Sequence, residues 1–188
     1  MPFFALMLVW ALNASAPPSV PVTLQETLDV HHYEVTGLSP EHLVASFRQR
    51  PNPSVMAITR AGMSTRYDFA FGNGECRLMQ VELLRDIDIT YPRWREQDRG
   101  SETMQAAWTQ FLTALEIHEQ GHVDRFREGA QGLSDRLAAL PPQESCQALS
   151  RAVEREQDRF DREMARIQSA YEAETRNGAA QGARLRFR

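Results

Sequence analysis

Hydrophobic spacing divides the chain into two halves. From Ser101 onward, apolar residues recur at three- and four-residue intervals: Met104, Trp108, Phe111, Leu112, Leu115, Val123, Phe126, Leu133, Leu137 and Leu140. That period is one face of an α-helix. It predicts a long helix from Ser101 to Leu140, softened at Gly129 and Gly132 and ended by Pro141-Pro142. A second run, Cys146, Leu149, Val153, Phe160, Met164, Ile167 and Tyr171, has the same spacing. It predicts a second helix folded back on the first as a hairpin, its Arg- and Glu-rich face in solvent.

The N-terminal half alternates instead. Leu28 to Val35 reads as a strand, and its adjacent His31 and His32 must face opposite sides, as ordinary strand residues. Ser39-Pro40-Glu41 is an N-cap followed by Pro at the first helical position, so a short helix should run to about Arg48 before Pro51 and Pro53 end it. Val55 to Arg60 and Thr65 to Phe71 read as further strands, the latter with Tyr67, Phe69 and Phe71 on one face. Asn73-Gly74 is a hairpin turn signal. The return strand, Cys76 to Tyr91, places Met79, Val81, Leu83, Ile87 and Ile89 on one side until Pro92 stops it, and the polar stretch Arg93 to Gly100 reads as a loop. The expected fold is α+β: a small N-terminal antiparallel sheet packed on a C-terminal helical hairpin.

Length and composition sharpen this outline. A chain of 188 residues, 42% hydrophobic, suits one domain with a real core. The net charge of −4 implies no attraction to nucleic acid. Met1 to Ala16 carries an apolar run too short to span a bilayer and ends in Ala14-Ser15-Ala16, like a signal peptide. No Lys or Arg precedes that run, and Pro17 follows the expected cut. No second apolar run suits a membrane span. Export without a membrane span places the protein in the periplasm or outside the cell. Residues 17–26, rich in proline, read as a linker; 27–188 read as the folded domain, with 178–188 as a mobile tail. Two cysteines in an exported chain suit a Cys76–Cys146 disulfide, whose loop of about seventy residues is worth roughly 4 kcal/mol. Nothing in the sequence fixes an oligomeric state.

The candidate chemistry lies on the predicted long helix. His118-Glu119-Gln120-Gly121-His122 matches H-E-x-x-H, the zinc-binding and general-base signature of zincin metallopeptidases. Residues i and i+4 share a helix face, so both imidazoles can reach one ion at roughly 2.0–2.1 Å. Glu119 is then the base toward water, not a ligand. Both histidines continue the apolar stripe, where buried polar groups need partners. A catalytic zinc needs a third protein ligand, and no His follows His122. Carboxylates are the chemical default: Glu163, the pair Glu154 and Asp158, Glu172 or Glu174. Each also reads as a surface charge.

Several segments in order resemble a known family: His32-Tyr33-Glu34-Val35-Thr36-Gly37, Cys76 before a long strand, Tyr91-Pro92-Arg93-Trp94, the H-E-x-x-H segment, a second cysteine, and Tyr171-Glu172-Ala173-Glu174-Thr175-Arg176-Asn177-Gly178. From about Val30 to Gly182 the chain resembles the bacterial domain of unknown function 922 family, described as predicted secreted zinc-dependent proteases. The last segment is similar to that family's Y-D-x-x-T-x-H-G box. The resemblance implies that the His of the box is the third zinc ligand; here Asn177 stands in its place, and an amide oxygen is a poorer zinc ligand than imidazole. Tyr171 matches the family's Tyr, an expected donor to a developing oxyanion or else the last apolar residue of the stripe. The expectation is an exported zinc-dependent peptidase acting on peptide or protein substrates. Its rival is a zincin-like scaffold, weakened or inactive, kept as an envelope binding or structural module.

Overall fold

The computed structural model describes residues 19–187. The expected signal peptide therefore lies outside the described residues. The order is β1 (Val22–Val35), α1 (Pro40–Arg48), β2 (Ile58–Gly72), β3 (Glu75–Trp94), α2 (Glu102–Ala138) and α3 (Cys146–Thr175). The fold is α+β, with a three-stranded sheet of order β1-β3-β2.

The sheet is mixed, not antiparallel. β2 and β3 form the hairpin that Asn73-Gly74 predicts, with left-handed φ of 52° and 81° at the turn. β1 lies on the other side of β3 and runs parallel to it, from Val22 opposite Val81 to Val35 opposite Trp94. The crossover that a parallel pair needs is supplied by α1 and β2. β1 also starts at Val22, so residues 22–26 are strand and not linker. The two strand segments expected around residue 60 are one, continuous through Ala61 and Gly62.

The pairing shifts register between Asp68 and Phe69: Asp68 faces Gln80, Phe69 faces Leu78, and Met79 is the extra residue. This bulge reverses the phase of β3. Val81, Leu83, Ile87 and Ile89 point into the core as expected. Below the bulge the inward residues are Cys76 and Leu78, and Met79 is exposed.

Three serines cap the helices. The Oγ atoms of Ser39, Ser101 and Ser145 accept from the amides of His42, Met104 and Ala148. α2 runs unbroken for 37 residues. Its glycines do not soften it; two of them admit the neighbouring helix. A Cβ on Gly129 would lie 2.2 Å from the Met164 sulfur, and one on Gly121 would lie 2.0 Å from the Tyr171 hydroxyl. Between sheet and hairpin sit Leu83, Ile87, Trp108, Phe111, Leu133, Leu137 and Leu149, each essentially solvent-free. Full burial of such side chains is worth about 1.5–3 kcal/mol each. α1 adds Leu43 and Phe47, the latter edge-on to Phe111 at 6.0 Å.

Cys76 and Cys146 form a disulfide, with Cα atoms 5.0 Å apart. Beside it, Cys76 and Gln143 exchange both backbone hydrogen bonds, at 2.7 and 2.8 Å. Together they fasten the α2–α3 turn to the start of β3. No described helix is long and apolar enough to cross a membrane.

Candidate metal centre

His118, Glu119 and His122 lie mid-way along α2, on the face turned toward β2 and the end of α3. His118 and Glu119 are 5% and 3% exposed. The last turn of α3 brings Tyr171, Glu172 and Thr175 against them. Beyond Thr175 the chain reverses through three successive left-handed residues, Arg176, Asn177 and Gly178. Only glycine fits the third: a Cβ there would lie 2.9 Å from Ala183 and 3.1 Å from the His118 ring. The reversal sets the short 3-10 turn Ala179–Gln181 against His118, so the segment expected as a mobile tail packs into the site. Ala183 is buried, and Leu185 and Phe187 pack on the core.

The two histidines share one hydrogen-bonding plan. Gln168 donates its Nε2 to the His122 carbonyl at 3.0 Å, which leaves its Oε1 facing His122 Nδ1 at 2.6 Å. Tyr171 donates its hydroxyl to the His118 carbonyl at 3.0 Å, so that hydroxyl must accept from Gln181 Nε2 at 3.2 Å. Gln181 Oε1 then faces His118 Nδ1 at 3.0 Å. Both Nδ1 atoms must therefore be the donors, by the logic of the network. Both Nε2 lone pairs are left pointing into the cleft, 3.3 Å apart.

Glu172 meets them. Its oxygens lie 3.2 Å from His122 Nε2 and 3.4 Å from His118 Nε2. Among the described residues Glu172 Oε2 is buried without a hydrogen-bond partner. One donor atom from each of the three residues can be chosen so that all lie within 4.8 Å of one another. Ligands at 2.0–2.1 Å around a tetrahedral ion stand about 3.3–3.4 Å apart. The spacing observed matches that edge, and three electron-rich atoms facing one point require a cation or added protons between them. The donor set thus fits a zinc ion, and a His-His-carboxylate set is a common catalytic arrangement for it.

Glu119 stands beside this triangle. Its Oε2 accepts from the Thr59 hydroxyl at 2.7 Å. Burial pushes its carboxyl above the ordinary value; the Thr59 hydrogen bond and the two imidazoles oppose that, and Glu172 adds to it. A cleft of about 840 Å³ opens over Thr59, His118, Glu119, His122 and Glu172.

The other candidates are placed elsewhere. Glu163 pairs with Arg159 and Arg136. Glu154 and Asp158 are exposed further up α3. Glu174 lines a separate groove with Gln120 and Thr175. Asn177 is exposed at the cleft wall, and its backbone N–H donates to the Glu172 carbonyl at 2.9 Å. The Tyr171 hydroxyl does not point at the cleft as an oxyanion donor would. It is committed to the His118 carbonyl, while its ring stacks on the His118 imidazole at 5.2 Å. Tyr171 positions the site from behind. Thr59, Gln168 and Gln181 were not singled out by the sequence, because polar residues distant in the chain carry no local signal of contact.

This is an α+β protein with a His-His-Glu cluster at the foot of a cleft, His118 buried and His122 and Glu172 partly so. The chain belongs to the bacterial family of unknown function DUF922, whose family model matches residues 30–179. Neither a curated protein nor a solved structure matches it. The match includes the Tyr171–Gly178 box and stops short of Gln181.

Proposed function

We propose that the protein is an exported zinc-dependent peptidase of the zincin type, with His118, His122 and Glu172 as the metal ligands. The observation that carries this reading is the convergence of Glu172 and two imidazoles whose far sides are already held. When bound, zinc supplies Lewis acidity, polarising a carbonyl and acidifying water. The chain supplies the rest. Thr59 holds Glu119 Oε2, which leaves Oε1 to take a proton from the attacking water. As the water oxygen bonds to the scissile carbonyl carbon and the C–N bond breaks, the same carboxyl returns that proton to the leaving nitrogen. Burial of Glu119 favours proton uptake. Gln168 and Gln181 hold the imidazoles in the one tautomer that leaves Nε2 free. The Cys76–Cys146 disulfide supports export to an oxidising compartment.

Metal analysis of the purified protein, joined to hydrolysis of a mixed peptide library, tests the reading. One zinc per chain and cleavage are expected. Glu119→Gln should keep the zinc and lose about 10²–10⁴ of the rate. A folded protein that takes up no zinc would sink the proposal.

One observation favours a second reading, a zincin-like module without strong catalysis: Asn177 stands where the family box has His. On that reading Glu172 is a poor substitute, and Asn177→His raises zinc affinity and activity together. If Glu172 is the ligand, Asn177→His changes zinc affinity little, and Glu172→Ala abolishes it.

A further inference from the structure

The molecule is acidic overall, yet the cleft over the cluster is not. Four arginines line it, Arg48, Arg176, Arg184 and Arg186. Its carboxylates are Glu119 and Glu172, both already assigned to the chemistry. Elsewhere some arginines pair with acids, Arg127 and Arg85 with Glu26, Arg136 with Glu156, Arg159 with Glu163 and Arg95 with Glu34, while Arg60, Arg93, Arg151 and Arg155 are scattered, exposed and outside any described ion pair. Among the described residues none of the four cleft arginines joins an ion pair or donates a side-chain hydrogen bond, and all four are exposed. The simplest account of one exposed arginine is a solvated charge. It does not explain four gathered on one cleft in a chain of net charge −4. They also come from separate elements: Arg48 from the end of α1, Arg176 from the α3 terminus, Arg184 and Arg186 from the closing segment. In that segment buried Ala183 and half-buried Leu185 and Phe187 alternate with the arginines and hold them outward at the cleft. Apolar Phe47, Val55, Met56 and Leu115 are among the remaining lining residues.

We propose, resting on the peptidase reading of the site, that this cleft selects acidic peptides, with carboxylate side chains flanking an apolar stretch. Arginine forks match carboxylates in shape and charge, and a cleft with low-dielectric walls focuses their field. The cations that neutralise the substrate are outside the catalytic cluster, so recognition and hydrolysis are separable.

The test uses Glu119→Gln protein loaded with zinc, which binds without cutting, and fluorescent decapeptides that share their apolar positions. Their flanking residues are Glu and Asp, Gln and Asn, or Lys. By anisotropy at low salt the acidic peptide should bind at least about tenfold tighter than the lysine peptide, and the ratio should shrink as salt rises. An Arg184→Glu/Arg186→Glu variant, checked for an unchanged melting temperature, should lose or invert the preference. Equal binding of the three peptides, or a preference that the variant keeps, overturns the proposal. So does polyphosphate of matched charge competing as tightly as the peptide. Acidic peptide that binds but is never cut by zinc-loaded wild type leaves the preference standing and overturns the peptidase reading. Cleavage of all three peptides at one rate does the reverse.

Discussion

Gln168 and Gln181 make the same contact from two different elements, one on α3 and one after it. Each points an amide oxygen at a histidine Nδ1 and ties its amide nitrogen to a group that can only accept there. The amide cannot flip without losing that second bond, so the imidazole tautomer is fixed twice over. Gln168→Ala or Gln181→Ala should therefore weaken zinc binding about 10–100-fold while leaving the ligands in place. Competition with a chromogenic chelator measures it; unchanged affinity in both variants would show that the glutamines do not set the tautomer. At this scale the sequence was legible where chemistry and spacing coincide. His118 and His122 stand one turn apart, and that is visible in five residues. Thr59 lies sixty residues from the Glu119 it holds. In the sequence Glu172 is one carboxylate among several; the packing of α3 on α2 sets it beside both imidazoles.

Elements are legible in the sequence where a local rule decides them. The Ser39 cap, the Asn73-Gly74 turn and both long helices follow from chemistry within a few residues. Direction and phase did not. A strand's alternation shows which residues share a face, not whether its neighbour runs parallel, so the parallel pairing of β1 with β3 is invisible in its sequence. The bulge at Met79 inverts the pattern halfway along β3, and no residue there announces it. The closing segment looked mobile because Gly and Ala dominate it. Yet those small residues are what let it pack: Gly178 has room for no Cβ, and Ala183 fills the space beneath it. Gly178→Ala should thus disturb the site more than the fold. Its expected signature is a loss of zinc affinity at least as large as that of Gln181→Ala, with most of the melting temperature kept. The disulfide acts on the other end of the hairpin. Replacing Cys76 and Cys146 together by Ala should lower stability by roughly 4 kcal/mol, read from urea unfolding.

On the scale of the whole molecule, charge divides into two uses. Ion pairs join the elements, and four arginines outside those pairs gather on the cleft. Glu26 shows the first use: from β1 it accepts two bonds from Arg127 on α2, at 3.0 and 2.5 Å, and lies 3.4 Å from Arg85 on β3. One carboxylate thereby ties sheet to helix. The hydrogen-bonded Arg127 guanidinium, aided by the nearby charge of Arg85, holds its carboxyl below the ordinary value of 4.5 against the cost of burial. The sign follows by linkage. A carboxyl whose folded pKa is depressed binds fewer protons folded than unfolded, so its stabilisation is full above 4.5 and is lost as pH falls through the folded value. Glu26→Gln should accordingly cost stability near neutral pH, and the difference from wild type should close in acid. Urea midpoints of the two proteins across the acid range decide it; a gap that stays constant would mean that Glu26 contributes by shape alone. The cleft arginines should show the opposite dependence on partners: with no internal acid to pair, Arg184→Gln and Arg186→Gln should leave the urea midpoint unchanged at every pH, while altering which peptides bind.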